Sequence, residues 1–150
     1  MNTFSFWKLF TGDVVTAIAS IVLVVFSIMS WAVIVEKIRL FHAARRKKVT
    51  GDADTAIRPF DKNLWFLSMV AYVSPFIGLF GTVWGVMDSF ASIGANQSVS
   101  IGVIAPGLAI ALGTTALGLI VAIPAAIAHQ VFTKRADELY DKLKGIEHTK

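Results

Sequence analysis

The sequence predicts an all-α membrane protein with three transmembrane helices, and two observations carry that prediction. First, 55% of the 150 residues are hydrophobic and only 16% are charged, too few for a fully water-facing surface. Second, no charge occurs from Val14 to Val35, from Asn63 to Met87, or from Ser89 to Thr133. The first two runs each match the roughly 20 residues that cross ~30 Å of hydrocarbon. The third is too long for one span and divides into a polar turn, SIGANQSVS, and a helix from about residue 104 to 132. The expected organisation is a single membrane domain over 1–150, with spans at about 14–35, 65–88 and 104–132, a short loop at 36–63 and a tail at 133–150.

The first span, VVTAIASIVLVVFSIMSWAVIV, is rich in Val and Ile all round, as expected of an outer, lipid-facing anchor. Before it, MNTFSFWKLFTGD lacks the basic region and cleavage site of a signal peptide, so the span is expected to be retained. Eight basic residues lie between Glu36 and Lys62 and five after Thr133, whereas the start has only Lys8 and the 88–103 turn none. By the positive-inside rule the N-terminus is outside and the loop and C-terminus are inside, in the cytoplasm. The net charge of +4 is then topological, and the run Arg45, Arg46, Lys47, Lys48 suits anionic lipid better than nucleic acid. The segment KKVTGDADTAIRPFDKN reads as a linker. Beyond the third span, Phe132, Ala136, Leu139, Leu143 and Ile146 recur at helical spacing, so the helix should continue into the cytoplasm and pack by that stripe against copies of itself or the basic loop.

The stretch SPFIGLFGTVWGVM carries Gly78, Gly81, Gly85 and one threonine, Thr82. Lipid gives helices little hydrophobic reason to associate, so association depends on small residues that let backbones approach. The third span repeats the pattern in two rows: Ala105, Ala109 and Gly113, then Thr114, Gly118, Ala122 and Ala126. The second and third helices should therefore pack tightly. Three spans enclose little, so a homo-oligomer with those two helices facing inward and the first facing lipid is expected. At 1.5 Å per residue, Thr82 and Thr115 lie ~7 and ~5 Å from the middles of their spans, both toward the outside. In an oligomer their hydroxyls would form a polar ring, joined by Thr114 if the helix is rotated slightly. The local alternative is a bond from each threonine to its own helix three or four residues back, the expectation for Thr114. Pro106 suits a first turn, whereas Pro124 should bend the third helix. No Asp, Glu, Lys or Arg lies within the spans, and Asp88 sits at an edge, so a proton carrier at mid-membrane would have to come from a partner. The sequence shows no metal-ligand cluster, no nucleophile paired with a base and no cofactor motif, so an enzyme is not expected.

GLFGTVWGVM at 78–87, APGLAIALGTTALGL at 105–119 and VAIPA at 121–125 resemble the TolQ/ExbB/MotA family of proton-channel subunits, and SWAVIVEKIRLFHAA at 30–44 resembles the end of its first span. The resemblance, somewhat nearer to the TolQ branch, implies an inner-membrane pentamer around two single-span TolR/ExbD-like helices, whose aspartate carries protons. Proton flow would drive a TolA- or TonB-like protein and so work at the outer membrane, with Thr82 and Thr115 matching the family's pore threonines. Two departures stand out. Ile110 occupies the position of a family glutamate, and the loop after the first span is far shorter than the usual cytoplasmic region. Both leave a non-conducting membrane scaffold as an alternative.

Overall fold

The computed structural model describes residues 14–46, 58, 62–96 and 101–147. They form three helices, α1 (Val14–Arg46), α2 (Leu64–Asn96) and α3 (Ile101–Glu147), with no strand among the described residues. Each contains a stretch long and apolar enough to cross a bilayer, within Val14–Ala43, Leu64–Ser92 and Ile104–Lys142. At 1.5 Å per residue the 47 residues of α3 extend ~70 Å, more than twice the hydrocarbon thickness.

All three helices outrun the expected spans. The first eleven residues of the expected loop, 36–46, are the end of α1, because Glu, Lys, Arg, Leu and Ala keep the helix going once the apolar run is over. Likewise α2 continues past Asp88 through most of the expected polar turn to Asn96, and residues 97–100 lie outside the described part. A charge-free run records where hydrocarbon ends, not where helical hydrogen bonding ends. The expected 47–63 linker falls mostly outside the described residues. Its last residue, Asn63, adopts a left-handed φ of 66°, which an asparagine tolerates, and its carbonyl accepts the Phe66 N–H at 3.2 Å as α2 begins. Helix α2 runs through Pro75, and α3 through Pro106 and Pro124, without interruption.

The buried face of α3 steps by three or four residues, through Ala111, Thr114, Leu117, Val121, Ala125, Ala128, Phe132 and Ala136. It meets a similar face on α2, and the α2–α3 pair forms the closest interface in the chain. The bundle divides in two along its length. In one half Leu64, Leu67 and Val70 of α2 join Leu23 and Ile34 of α1 and Leu117 to Phe132 of α3 in a core of large side chains. In the other, glycine, alanine, serine and threonine bring the backbones together.

Helix α1 is less uniform than its sequence suggested. Ile18, Ile21, Val25 and Ile28 are exposed, as a lipid-facing helix requires, but Thr16, Ser20, Leu23, Ser30, Ile34 and Lys37 are buried along one stripe. Lys37 is fully buried and makes an interaction of its own. The start of the stripe on the α3 extension packs against α1: Phe132 stacks on Phe41 with centroids 5.8 Å apart, and the Arg135 guanidinium lies 6.0 Å over the same ring. Within that stripe Phe132 and Ala136 are buried and Leu139 is half-buried, while the side chains of Leu143 and Ile146 are outside the described part.

Candidate functional site

Gly78 places its backbone against α3 so closely that a Cβ there would come 2.7 Å from the Thr114 carbonyl oxygen and 3.2 Å from the Gly118 Cα. At Gly118 a Cβ would lie 2.7 Å from the Ser74 carbonyl oxygen. The contact continues along the pair. A Cβ at Gly81 would strike Thr114 Oγ1 at 2.7 Å, one at Gly85 the Ala111 Cβ at 2.8 Å, and one at Gly107 the Ser89 Oγ at 2.5 Å. Each glycine therefore sits opposite backbone or a short side chain, the geometry that small residues permit between membrane helices.

This approach brings three hydroxyls onto one carbonyl. The Gly78 oxygen lies 3.2 Å from Thr114 Oγ1, 3.2 Å from Thr115 Oγ1 and 3.3 Å from Thr82 Oγ1. The Thr82 hydroxyl also donates to the Ala111 carbonyl at 2.8 Å and is in direct hydrogen-bond contact with Thr115 Oγ1. Each hydroxyl has one proton and two lone pairs, so these contacts are alternatives rather than simultaneous bonds. When Thr82 donates to Ala111, it can accept from Thr115; when Thr115 turns to Gly78, Thr82 is released. Both residues are half-buried, on the border between the helix contact and the outside of the three-helix unit.

Thr114 stands differently. It is fully buried, and its hydroxyl donates to the Ala111 carbonyl three residues back at 2.7 Å, the local arrangement expected of it. Of the remaining residues singled out in the sequence, Ala122 is buried on the α2–α3 face and Ala126, Ile110 and Pro124 are half-buried. The row Ala105, Ala109 and Gly113 does not join the α2 contact: the two alanines are exposed and Gly113 is half-buried. That row is turned by the helical register of α3 away from the face formed by Ala111, Thr114 and Gly118. The described residues contain no cluster of His, Cys, Asp or Glu able to hold a metal.

Two parts of the site were not singled out in the sequence. Thr16 on α1 reaches the same contact, its Oγ1 3.8 Å from the position a Gly85 Cβ would take, and Ser20 donates back to the Thr16 carbonyl at 2.9 Å. The signal was present in the spacing of Thr16, Ser20, Leu23, Ser30, Ile34 and Lys37, in which each step is three, four or their sum of seven residues. The second is Ser74, fully buried, whose hydroxyl has no hydrogen-bond partner among the described residues.

Residues 36–144, from the end of α1 through α2 and almost all of α3, match the model of the MotA/TolQ/ExbB proton channel family. The chain belongs to that family. Among its relatives, the biopolymer transport protein ExbB of Salmonella typhimurium is 47% identical over 70 residues, 47% of this chain and 29% of the relative. The Tol-Pal system protein TolQ of Pseudomonas aeruginosa is 42% identical over 97 residues, 60% of this chain and 42% of the relative. ExbB of Helicobacter pylori is 33% identical over 132 residues, 88% of this chain and 90% of the relative. The chain thus spans less than half the length of the Salmonella and Pseudomonas proteins but nearly all of the Helicobacter one. Family membership and three spanning helices make it a multi-pass membrane protein, of the inner membrane in a bacterium, and support a proton-channel role.

Proposed function

We propose that this chain is the pore subunit of an inner-membrane proton channel that works with a single-span TolR/ExbD-like partner to couple the proton motive force to work at the outer membrane, as in Tol-Pal envelope maintenance and division. The observation that carries the proposal is the Thr82–Thr115 hydroxyl pair, which can trade one hydrogen bond for another at the Gly78 and Ala111 carbonyls. A pair of this kind can receive a proton on one oxygen and pass a different one on. Its hydroxyls keep their protons at neutral pH and do not ionise, and the charge-free stretches of the three spans contain no carboxylate, so the titrating acid comes from the partner helix. The exposed alanines at 105 and 109 leave a small-residue surface for neighbouring copies, in keeping with a homo-oligomer, a pentamer by family resemblance, that encloses the partner. The basic ends of α1 and α3 then lie in the cytoplasm and Asp88 toward the periplasm.

The test is partner-dependent proton flux in vesicles. Thr82→Val and Thr115→Val keep the volume and remove the hydroxyl; each should abolish most of the flux while native mass spectrometry shows the assembly unchanged. Undiminished flux in both variants would falsify the assignment. The Helicobacter relative, matched over 90% of its length, favours a second reading in which the chain energises TonB-dependent import as an ExbB. Co-purification separates them: a TolR-like chain with a TolA-like protein supports the first, an ExbD-like chain with a TonB-like protein the second.

A further inference from the structure

Several serines in these helices return their hydroxyl protons to a carbonyl one turn back, although Thr133 on the α3 extension does not. Ser20 donates to Thr16, Ser89 to Gly85 at 2.8 Å and Ser92 to Asp88 at 3.0 Å. Ser74 departs from this pattern. It is fully buried, its oxygen is sealed from the surface, and it has no partner among the described residues. Because the burial is complete within one chain, neither lipid nor a second copy can reach it.

The next residue sharpens the problem. Pro75 has no N–H, so the Ala71 carbonyl, one turn earlier, loses its helical donor. A hydroxyl and a carbonyl three residues apart on the same helix are thus both short of partners at membrane depth, where an unsatisfied polar group costs several kcal/mol. Ordered water is one of the means by which a membrane helix accommodates proline, and a buried water needs two or more polar partners. Ser74 and Ala71 supply two.

We infer that Ser74 and the Ala71 carbonyl hold a water molecule that extends the Thr82–Thr115 proton path toward the basic end of the bundle. Ser74, Gly78 and Thr82 follow one another at four-residue steps, placing Ser74 ~12 Å along the axis from the threonine pair with the Gly78 carbonyl halfway between. Gly118 keeps α3 close at this level, so the site is walled by backbone rather than by large side chains. It lies where the glycine half of the bundle gives way to the Leu67 and Val70 core. The Gly78 carbonyl accepts hydrogen bonds but carries no proton, so the distance between the threonine pair and this water is crossed by further water at that carbonyl, and at each oxygen one O–H bond forms as another breaks. The inference rests on the proton-channel reading and deepens it.

The chain has no cysteine, so Ser74→Cys is its only thiol. The experiment exposes the assembled complex with its partner to Ag⁺, a small aqueous probe, and then counts remaining thiols by maleimide labelling in detergent. Thr82→Cys and Leu67→Cys, the latter a fully buried apolar position on the same helix, are treated in parallel. The expected result is that S74C reacts more slowly than the half-buried T82C but well above L67C, which is as buried as Ser74. If T82C reacts and S74C is as inert as L67C, the water site is overturned while the threonine path stands. If S74C and T82C are both inert, both fail. As a second readout, Ser74→Ala should reduce proton flux by about fivefold, the worth of one neutral hydrogen bond, without stabilising the complex. A dry orphan hydroxyl predicts the reverse, raised stability with unchanged flux, and that outcome overturns the inference.

Discussion

Gly78 and Gly118 face each other's helix backbone, and a methyl group at either position has nowhere to go without moving that backbone. Overpacking of this kind costs about 1–3 kcal/mol, offset by up to ~1 kcal/mol from replacing glycine by alanine in a helix. Gly78→Ala and Gly118→Ala should therefore destabilise the folded chain in thermal or denaturant unfolding, whereas Gly145→Ala, with open space around it, should be neutral or slightly stabilising. Equal stability of all three would show that the α2–α3 distance is not set by these glycines. Their packing role was legible because a glycine inside a membrane helix has few other uses. The shared depth of Thr82 and Thr115 followed from the place of each in its span, whereas their direct hydrogen bond within one chain did not. Ser74 was not legible, because nothing in its letter separates it from Ser89; the difference is a bond made in one place and not in the other. Pro75, beside it, was the available hint.

At the scale of the helices, the extended end of α3 is held to α1 by Phe132 stacked on Phe41, with Arg135 over the ring. Truncating a buried phenylalanine costs about 3–5 kcal/mol when the surroundings do not collapse. Phe132→Ala should thus loosen the segment after it, seen as faster trypsin cleavage at Lys134 or Arg135 with the membrane part still assembled; unchanged cleavage would mean that the stack does not hold the extension. The existence and order of the three helices were legible from charge-free runs. Their ends were not, because the same residues that stop hydrophobicity, such as Glu36, Lys37 and Arg39, are good helix formers. The inward stripe of α1 was also missed: a helix surrounded by Val and Ile hides a few hydroxyls in its composition, and only their register shows that Thr16, Ser20 and Ser30 share a face.

For the whole molecule, the unpaired row on α3 matters most. Ala105 and Ala109 are exposed although their size suits close helix contact, and under the proposed homo-oligomer this is the surface offered to a neighbouring copy. Ala109→Leu should reduce the oligomeric fraction in native mass spectrometry while helix content stays constant, and an unchanged oligomer would exclude this face from the contact between copies. The division of the bundle into a glycine half and a large-side-chain half has a consequence for how the chain tolerates sequence change. Where Leu67, Val70 and Val121 pack, one hydrocarbon shape can be exchanged for another, because neighbours repack around a similar total volume. Where glycine backbone meets backbone there is no side chain to rearrange, and a gain of even one carbon has no compensating neighbour. A library of single substitutions should accordingly sort by depth rather than by helix, permissive toward the basic end and intolerant around Gly78. Sequence drift would then be free to alter one end of the bundle while leaving the other nearly frozen.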